Sequence, residues 1–188
     1  MTTKNILLIM ATIILLLSCA PQPPYWKPSG TPQGEPPQIT AYYGAHIIRP
    51  GDTWRVYLRA NDPDGDMAYI ATTIRQDGVG FYPAVRTRLE PNNRGELAGY
   101  LFLPTPPDPD LVWDQFQITL LVRDREGNGS KPVTLPLTFN YRNYTNPEKV
   151  SAEWNDVADT RLGTILVDII SSERYNTQGD HGDRVLFW

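Results

Sequence analysis

Asp62, Asp64 and Asp66 alternate along the chain, and a second oxygen-rich stretch follows at Asp124, Glu126 and Asn128. Carboxylate and amide oxygens in such clusters suit calcium, a hard cation that gathers about six to eight oxygen ligands. The spacing is not that of an EF-hand: Gly65 stands at the fourth position, and Thr73 falls where a bidentate glutamate would be needed. The plainer reading of the same residues is a Pro-Asp-Gly turn with solvated carboxylates, its charge offset by Arg123 and Arg125. A second set of residues pairs aromatic with cationic character. Arg55, Tyr57 and Arg59 share one side of a strand, and Trp154 lies far downstream. Tyr, Trp and Arg are favoured in contacts with proteins and glycans, so these four are candidates for a binding face. The third resource is the lone thiol, Cys19.

Nucleophilic chemistry has little to work with. His46 falls in or beside the first strand and His181 near the end of the chain, so neither places a base beside a serine. Gly-rich phosphate loops and nucleotide fingerprints are missing from the sequence, and the expectation is a protein that is not an enzyme.

The elements that must hold these residues are strands. Trp54, Val56, Leu58 and Ala60 alternate with Arg55, Tyr57 and Arg59, and the same period recurs at Ala68–Ile74, Leu97–Leu103, Phe116–Val122 and Val133–Tyr141. Each run has the length and period of a half-buried antiparallel strand. Turn chemistry separates them at Pro50-Gly51-Asp52, 62–66, Gln76-Asp77-Gly78, Pro91-Asn92-Asn93, 104–109 and 126–129. With strands near 39–48 and 79–89, the profile is all-β: a seven-stranded Ig-like antiparallel β-sandwich over residues 39–141. In that architecture the 62–66 and 124–128 loops emerge at one pole, which would gather the six oxygen donors. Pro50-Gly51-Asp52, the stretch from Val56 to Asp66 and the stretch from Val122 to Ser130 resemble the corresponding regions of bacterial Ig-like and cadherin-like surface domains. That resemblance implies adhesion, scaffolding or presentation, and it lacks the full set of cadherin calcium motifs.

The ends of the chain are of another kind. Ile6 to Leu17 is an apolar run broken only by Thr12, too short to span a bilayer but the length of a secretory h-region. It ends in Leu16-Leu17-Ser18-Cys19, which resembles the bacterial lipobox. The resemblance implies removal of residues 1–18, acylation of Cys19 and, with Ala20 rather than Asp next, residence in the outer membrane. Residues 19–38 then hold the lipidated cysteine and seven of the 18 prolines, a composition for an extended spacer of up to about 60 Å. After the sandwich, residues 142–188 form a short C-terminal helix/strand extension. Asn146-Pro147 predicts a helix over about 147–159, an apolar β-branched run predicts a strand over about 162–170, and the remainder predicts a loose end. The extension either packs back on the sandwich or adds a strand to a partner's sheet.

The whole chain has 188 residues, a net charge of −4, one cysteine and two histidines. One cysteine excludes a disulfide framework and a thiolate zinc cluster. A mildly acidic chain lacks the basic excess of a nucleic-acid binder. The sequence therefore points to a non-catalytic outer-membrane lipoprotein that presents an Ig-like domain to another envelope or extracellular protein. The alternative is a glycan- or peptidoglycan-binding module stabilised by calcium, with no other cofactor expected.

Overall fold

The computed structural model describes residues 34–146 and 151–179. Ten strands occur in chain order: β1 (Gln38–Gly44), β2 (Ile47–Ile48), β3 (Thr53–Asn61), β4 (Met67–Gln76), β5 (Gly80–Phe81), β6 (Val85–Arg88), β7 (Glu96–Pro104), β8 (Gln115–Asp124), β9 (Val133–Phe139) and β10 (Arg161–Thr164). Among the described residues one α-helix, α1 (Ser172–Gly179), follows them. One sheet has the order β1-β3-β7-β10 and the other β2-β9-β8-β4, with β5 and β6 both paired to the far edge of β4. The first strand thus divides itself between the sheets. β1 runs antiparallel to β3, and after Ala45 and His46 the short β2 pairs in parallel with β9. With β4 beside β8 and β3 beside β7, this is the strand arrangement of an immunoglobulin-like β-sandwich.

The alternation in the sequence is what makes the two layers. Trp54, Val56, Leu58 and Ala60 of β3 and Leu97, Leu101 and Leu103 of β7 are buried from one sheet. Facing them are Ile70 and Ile74 of β4, Phe116, Ile118, Leu120 and Val122 of β8, and Leu135, Leu137 and Phe139 of β9. The Trp54 indole, although fully buried, donates to the Ala45 carbonyl at 2.7 Å, so its polar atom is satisfied in the core.

Several boundaries differ from the sequence reading. Instead of one strand over 79–89 there are β5 and β6, separated at Tyr82-Pro83-Ala84, because proline has no N–H for the ladder. Tyr141 is not part of the inner row of β9, which ends at Phe139; its ring is exposed beyond the strand. The unit does not close at residue 141 either. Ile165 and Ile169 belong to the main core, and β10 extends the first sheet by pairing in parallel with β7. Among the described residues of the expected 147–159 helix there is only a short 3-10 turn, Ala152–Val157. The expected strand over 162–170 is real only at its start: Ile165 N–H still donates to the Phe102 carbonyl of β7 at 2.9 Å, and the residues beyond it cross to the second sheet. Where a loose end was expected, α1 begins at Ser172. The signal-peptide segment, Cys19 and most of the proline-rich spacer lie outside the described residues.

Candidate functional site

The two poles of the sandwich have opposite chemistry. β8 runs from one to the other, and its ten residues place them about 30 Å apart.

At the first pole the 62–66 and 124–128 loops do come together, but the six candidate oxygen donors divide into four roles. One oxygen each from Asp66, Asp124 and Glu126 lies within 4.8 Å of the others. Oxygens on opposite sides of one calcium ion sit at most about 5 Å apart, so this trio has the right span for a single cation. Asp62, 5% exposed, stands behind them and accepts from the backbone N–H groups of Asp64 at 3.2 Å and Asp66 at 3.3 Å, which folds the turn. Asp64 is engaged by the entering chain: the Glu35 N–H donates to its Oδ2 at 2.6 Å, and Gly34 packs against it. Asn128 holds Asp124 in place, donating from its backbone N–H to Oδ1 and from its side-chain amide to Oδ2, both at 2.7 Å. Asp66 carries the strain of this arrangement. Its Oδ1 is buried without a hydrogen-bond partner. Burial, then the adjoining Asp62 side chain and the negative charges of Asp124 and Glu126, raise its pKa to about 6. A buried, unpartnered oxygen in a trio of carboxylates is a group that a divalent cation would satisfy.

Trp113 dominates the far pole. It is the single described non-glycine residue with a left-handed backbone, at φ 78°, and its ring is 70% exposed. A bulky residue in that conformation is disfavoured by about 1–2 kcal/mol. The surrounding loop holds it there. Trp113 N–H donates to the Phe139 carbonyl at 3.0 Å, and the next N–H, of Asp114, donates to Leu111 at 2.9 Å. The buried Asp114 carboxylate accepts from the Gln76 amide at 2.9 Å, the Ser172 N–H at 2.9 Å and the Ser172 hydroxyl at 2.5 Å. The loop is thereby locked to β4 and to the start of α1. Exposed Tyr141 lies two residues beyond the carbonyl that holds Trp113.

The expected binding face is not open. Tyr57 is 1% exposed because Trp154, itself 2% exposed, lies on it with ring centroids 5.6 Å apart. Tyr43 and Tyr100 complete this small second core. Arg59 stacks over the Trp154 ring at 5.1 Å and grips Asp156 with contacts of 2.7 and 2.9 Å. That bond holds the Asp156 carboxyl below its usual pKa. Tyr57, Arg59 and Trp154 therefore fasten the C-terminal extension to the outer face of the first sheet. Arg55 and Arg59 both stay half-exposed on that face, but Arg59 is already engaged by Trp154 and Asp156. The sequence gives the face each residue occupies, but a strand pattern carries no sign that another segment will cover it. The roles of Trp113 and Asp114 are invisible in the sequence for the same reason, since neither exposure nor partners can be read from the 104–114 loop.

No family model matches the chain, and no curated protein matches it. Among solved structures, Spo0M, a sporulation control protein from Bacillus subtilis, aligns over 57% of this chain at 9% identity and a TM-score of 0.41. The alignment spans about half, 51%, of Spo0M. The PKD domain of an M14-like peptidase from a Thermoplasmatales archaeon aligns over 58% of this chain and 100% of its own length, at 16% identity and TM-score 0.38. A CARDB domain from Pyrococcus furiosus, solved in complex with di-metal ions, aligns over 55% of this chain and 91% of its own, at 13% identity and TM-score 0.32.

Proposed function

We propose that this chain is a non-catalytic lipoprotein of the outer membrane, acylated at Cys19, that presents its Ig-like sandwich on a proline-rich spacer to dock another envelope or extracellular protein. The observation that carries the docking reading is Trp113. A large aromatic ring is held in solvent on an unfavourable backbone, at the pole about 30 Å from the one where the spacer enters. Strain of this kind is retained where the surroundings over-determine it, and function is a common reason. Exposed tryptophan and tyrosine at the distal pole suit the anchor residues of a protein interface. No helix among the described residues is long and apolar enough to cross a membrane, so attachment in this reading rests on the lipid.

The test is a photo-crosslinking residue introduced at Trp113 in whole cells, with the same residue at the exposed Arg88 of β6 as control. Docking predicts one adduct specific to position 113, whose partner binds the purified chain and is lost in Trp113→Gly. Equal adducts at both positions would remove the distal pole from the account.

A second reading concerns the acidic pole. Asp66, Asp124 and Glu126 would supply first ligands to a calcium ion, with water completing its coordination, and the ion would fasten the 62–66 loop to the 124–128 loop. The unpartnered Asp66 oxygen supports it. Its role is structural, tying together the pole at which the spacer enters.

A further inference from the structure

The part of the first sheet's outer face that Trp154 leaves uncovered holds a cavity of about 480 Å³ with three arginines in its walls, Arg49, Arg55 and Arg161. Two of them come from strands on either side of β7 and lean over it from opposite directions. Arg55 on β3 is level with Phe102, yet its guanidinium lies over the ring of Tyr100, at 5.0 Å. Arg161 on β10 is level with Tyr100, yet it lies over Phe102, at 3.9 Å. The two rings are neighbours on one face of one strand, about 7 Å apart along it. Two like charges therefore sit over adjacent rings of one strand. Neither has a carboxylate within salt-bridge distance among the described residues. Arg161 is further fixed by its hydrogen bond to the Thr164 hydroxyl. Arg49 differs. It is held by Asp52 through two contacts of 3.2 and 3.3 Å and stacks over Tyr144 at 4.2 Å, so it brings a charge already balanced.

Stacking immobilises a guanidinium while leaving its N–H edge able to donate, and that edge is a fork suited to two oxygens of one carboxylate or phosphate. An oxyanion between Arg55 and Arg161 would relieve their mutual repulsion. The cavity is larger than a bare oxyanion and falls in the size range of small-molecule sites. Its remaining walls, among them Asp52 and Asn146, are polar, which fits hydroxyl groups rather than an apolar body. We propose that this cavity binds an acidic sugar, with the carboxylate or phosphate between Arg55 and Arg161 and the hydroxyls toward Asp52 and Asn146. The site exists only because the chain returns: Arg161 belongs to β10, which the C-terminal extension adds to the sheet.

The test is calorimetric titration of the full-length chain, in a detergent free of sugar and phosphate, with glucuronate, glucose 6-phosphate, glucose and inorganic phosphate. The proposal expects both sugar anions to bind at low ionic strength, glucose not to bind, and inorganic phosphate to bind more weakly than glucose 6-phosphate. Arg55→Gln and Arg161→Gln should each weaken the sugar anions by about tenfold or more. Arg88→Gln, outside the cavity, should leave binding unchanged, and melting temperatures of the variants report that they remain folded. Failure of both sugar anions to bind at millimolar concentration overturns the site. Unchanged affinity in the folded double variant overturns it as well. Equal affinity for inorganic phosphate and glucose 6-phosphate overturns the assignment to a sugar.

Discussion

Asp66 shows how one side chain ties stability to pH and to metal. Its carboxyl is raised from 3.8 to about 6, so the folded protein holds that proton more tightly than the unfolded chain does. Between those two values the folded state binds more protons, and stability must fall as pH rises through this window. In EDTA the melting temperature should therefore drop across it, and Asp66→Asn should flatten the slope and raise the melting temperature at neutral pH by a few degrees. Calcium should stabilise the wild-type chain by RT ln(1 + [L]/Kd) and Asp66→Asn much less; an unchanged melting temperature with calcium would remove the metal reading while leaving the pH effect intact. Tyr57 makes the opposite point. Its hydroxyl is buried with no hydrogen-bond partner, so Tyr57→Phe should be neutral or stabilising, by up to about 1 kcal/mol in chemical denaturation. A large loss of stability would mean that the hydroxyl has a role that its surroundings do not show.

Among the elements, the returning C-terminal segment does most to complete the fold. The 152–157 turn plugs one half of the outer face with Trp154, β10 lengthens the first sheet, and Ile165 and Ile169 enter the core between the sheets. Residues 170–172 then cross to the second sheet. The Gln76 amide donates to the Ile170 carbonyl at 3.0 Å, and Asp114 receives the start of α1. Gly99 permits the β10 segment to close on β7, because a Cβ there would run into the Thr160 carbonyl oxygen. Trp154→Ala should cost about 3–5 kcal/mol and Ile165→Ala about 2–5 kcal/mol in denaturant unfolding. Asp114→Ala strands the Gln76 and Ser172 donors. It should release α1 first, seen as loss of amide-exchange protection over 172–179 before the sheets are affected. Deleting residues 151–188 should therefore damage folding itself, which makes point variants the right tools for separating docking from stability. Trp113→Gly is such a variant. It relieves the left-handed backbone, so stability should hold or rise by about 1 kcal/mol while partner adducts disappear.

Across the whole molecule the chemistry is polar in the vectorial sense. The spacer enters at the acidic pole, where Glu35 meets Asp64, and the aromatic pole with Trp113 lies at the other end of the sandwich. In the proposed lipoprotein, a sandwich held from its acidic pole would turn Trp113 away from the membrane. Cys19→Ala is expected to leave an uncleaved precursor that incorporates no labelled palmitate and is lost from the outer-membrane fraction. Continued labelling in that variant would disprove acylation at Cys19.

Period-two alternation was enough to assign the layers, because which side of a strand faces inward depends only on the pleat, and the pleat is local; the exception is the start of β4, where a register shift puts Met67 rather than Ala68 in the core. Turn chemistry likewise located most strand ends, and the meeting of the 62–66 and 124–128 loops followed from the sandwich order. What alternation could not reveal was what lies on the outside of a sheet. Tyr57 reads as an outward residue and is one, yet it is buried, because Trp154 arrives from nearly a hundred residues away. Arg55 and Arg161 likewise meet over β7 only after β10 has paired. Long-range pairing of this kind is decided by which surface remains to be covered once the local elements have formed. That quantity belongs to the folded molecule and to no single stretch of its sequence.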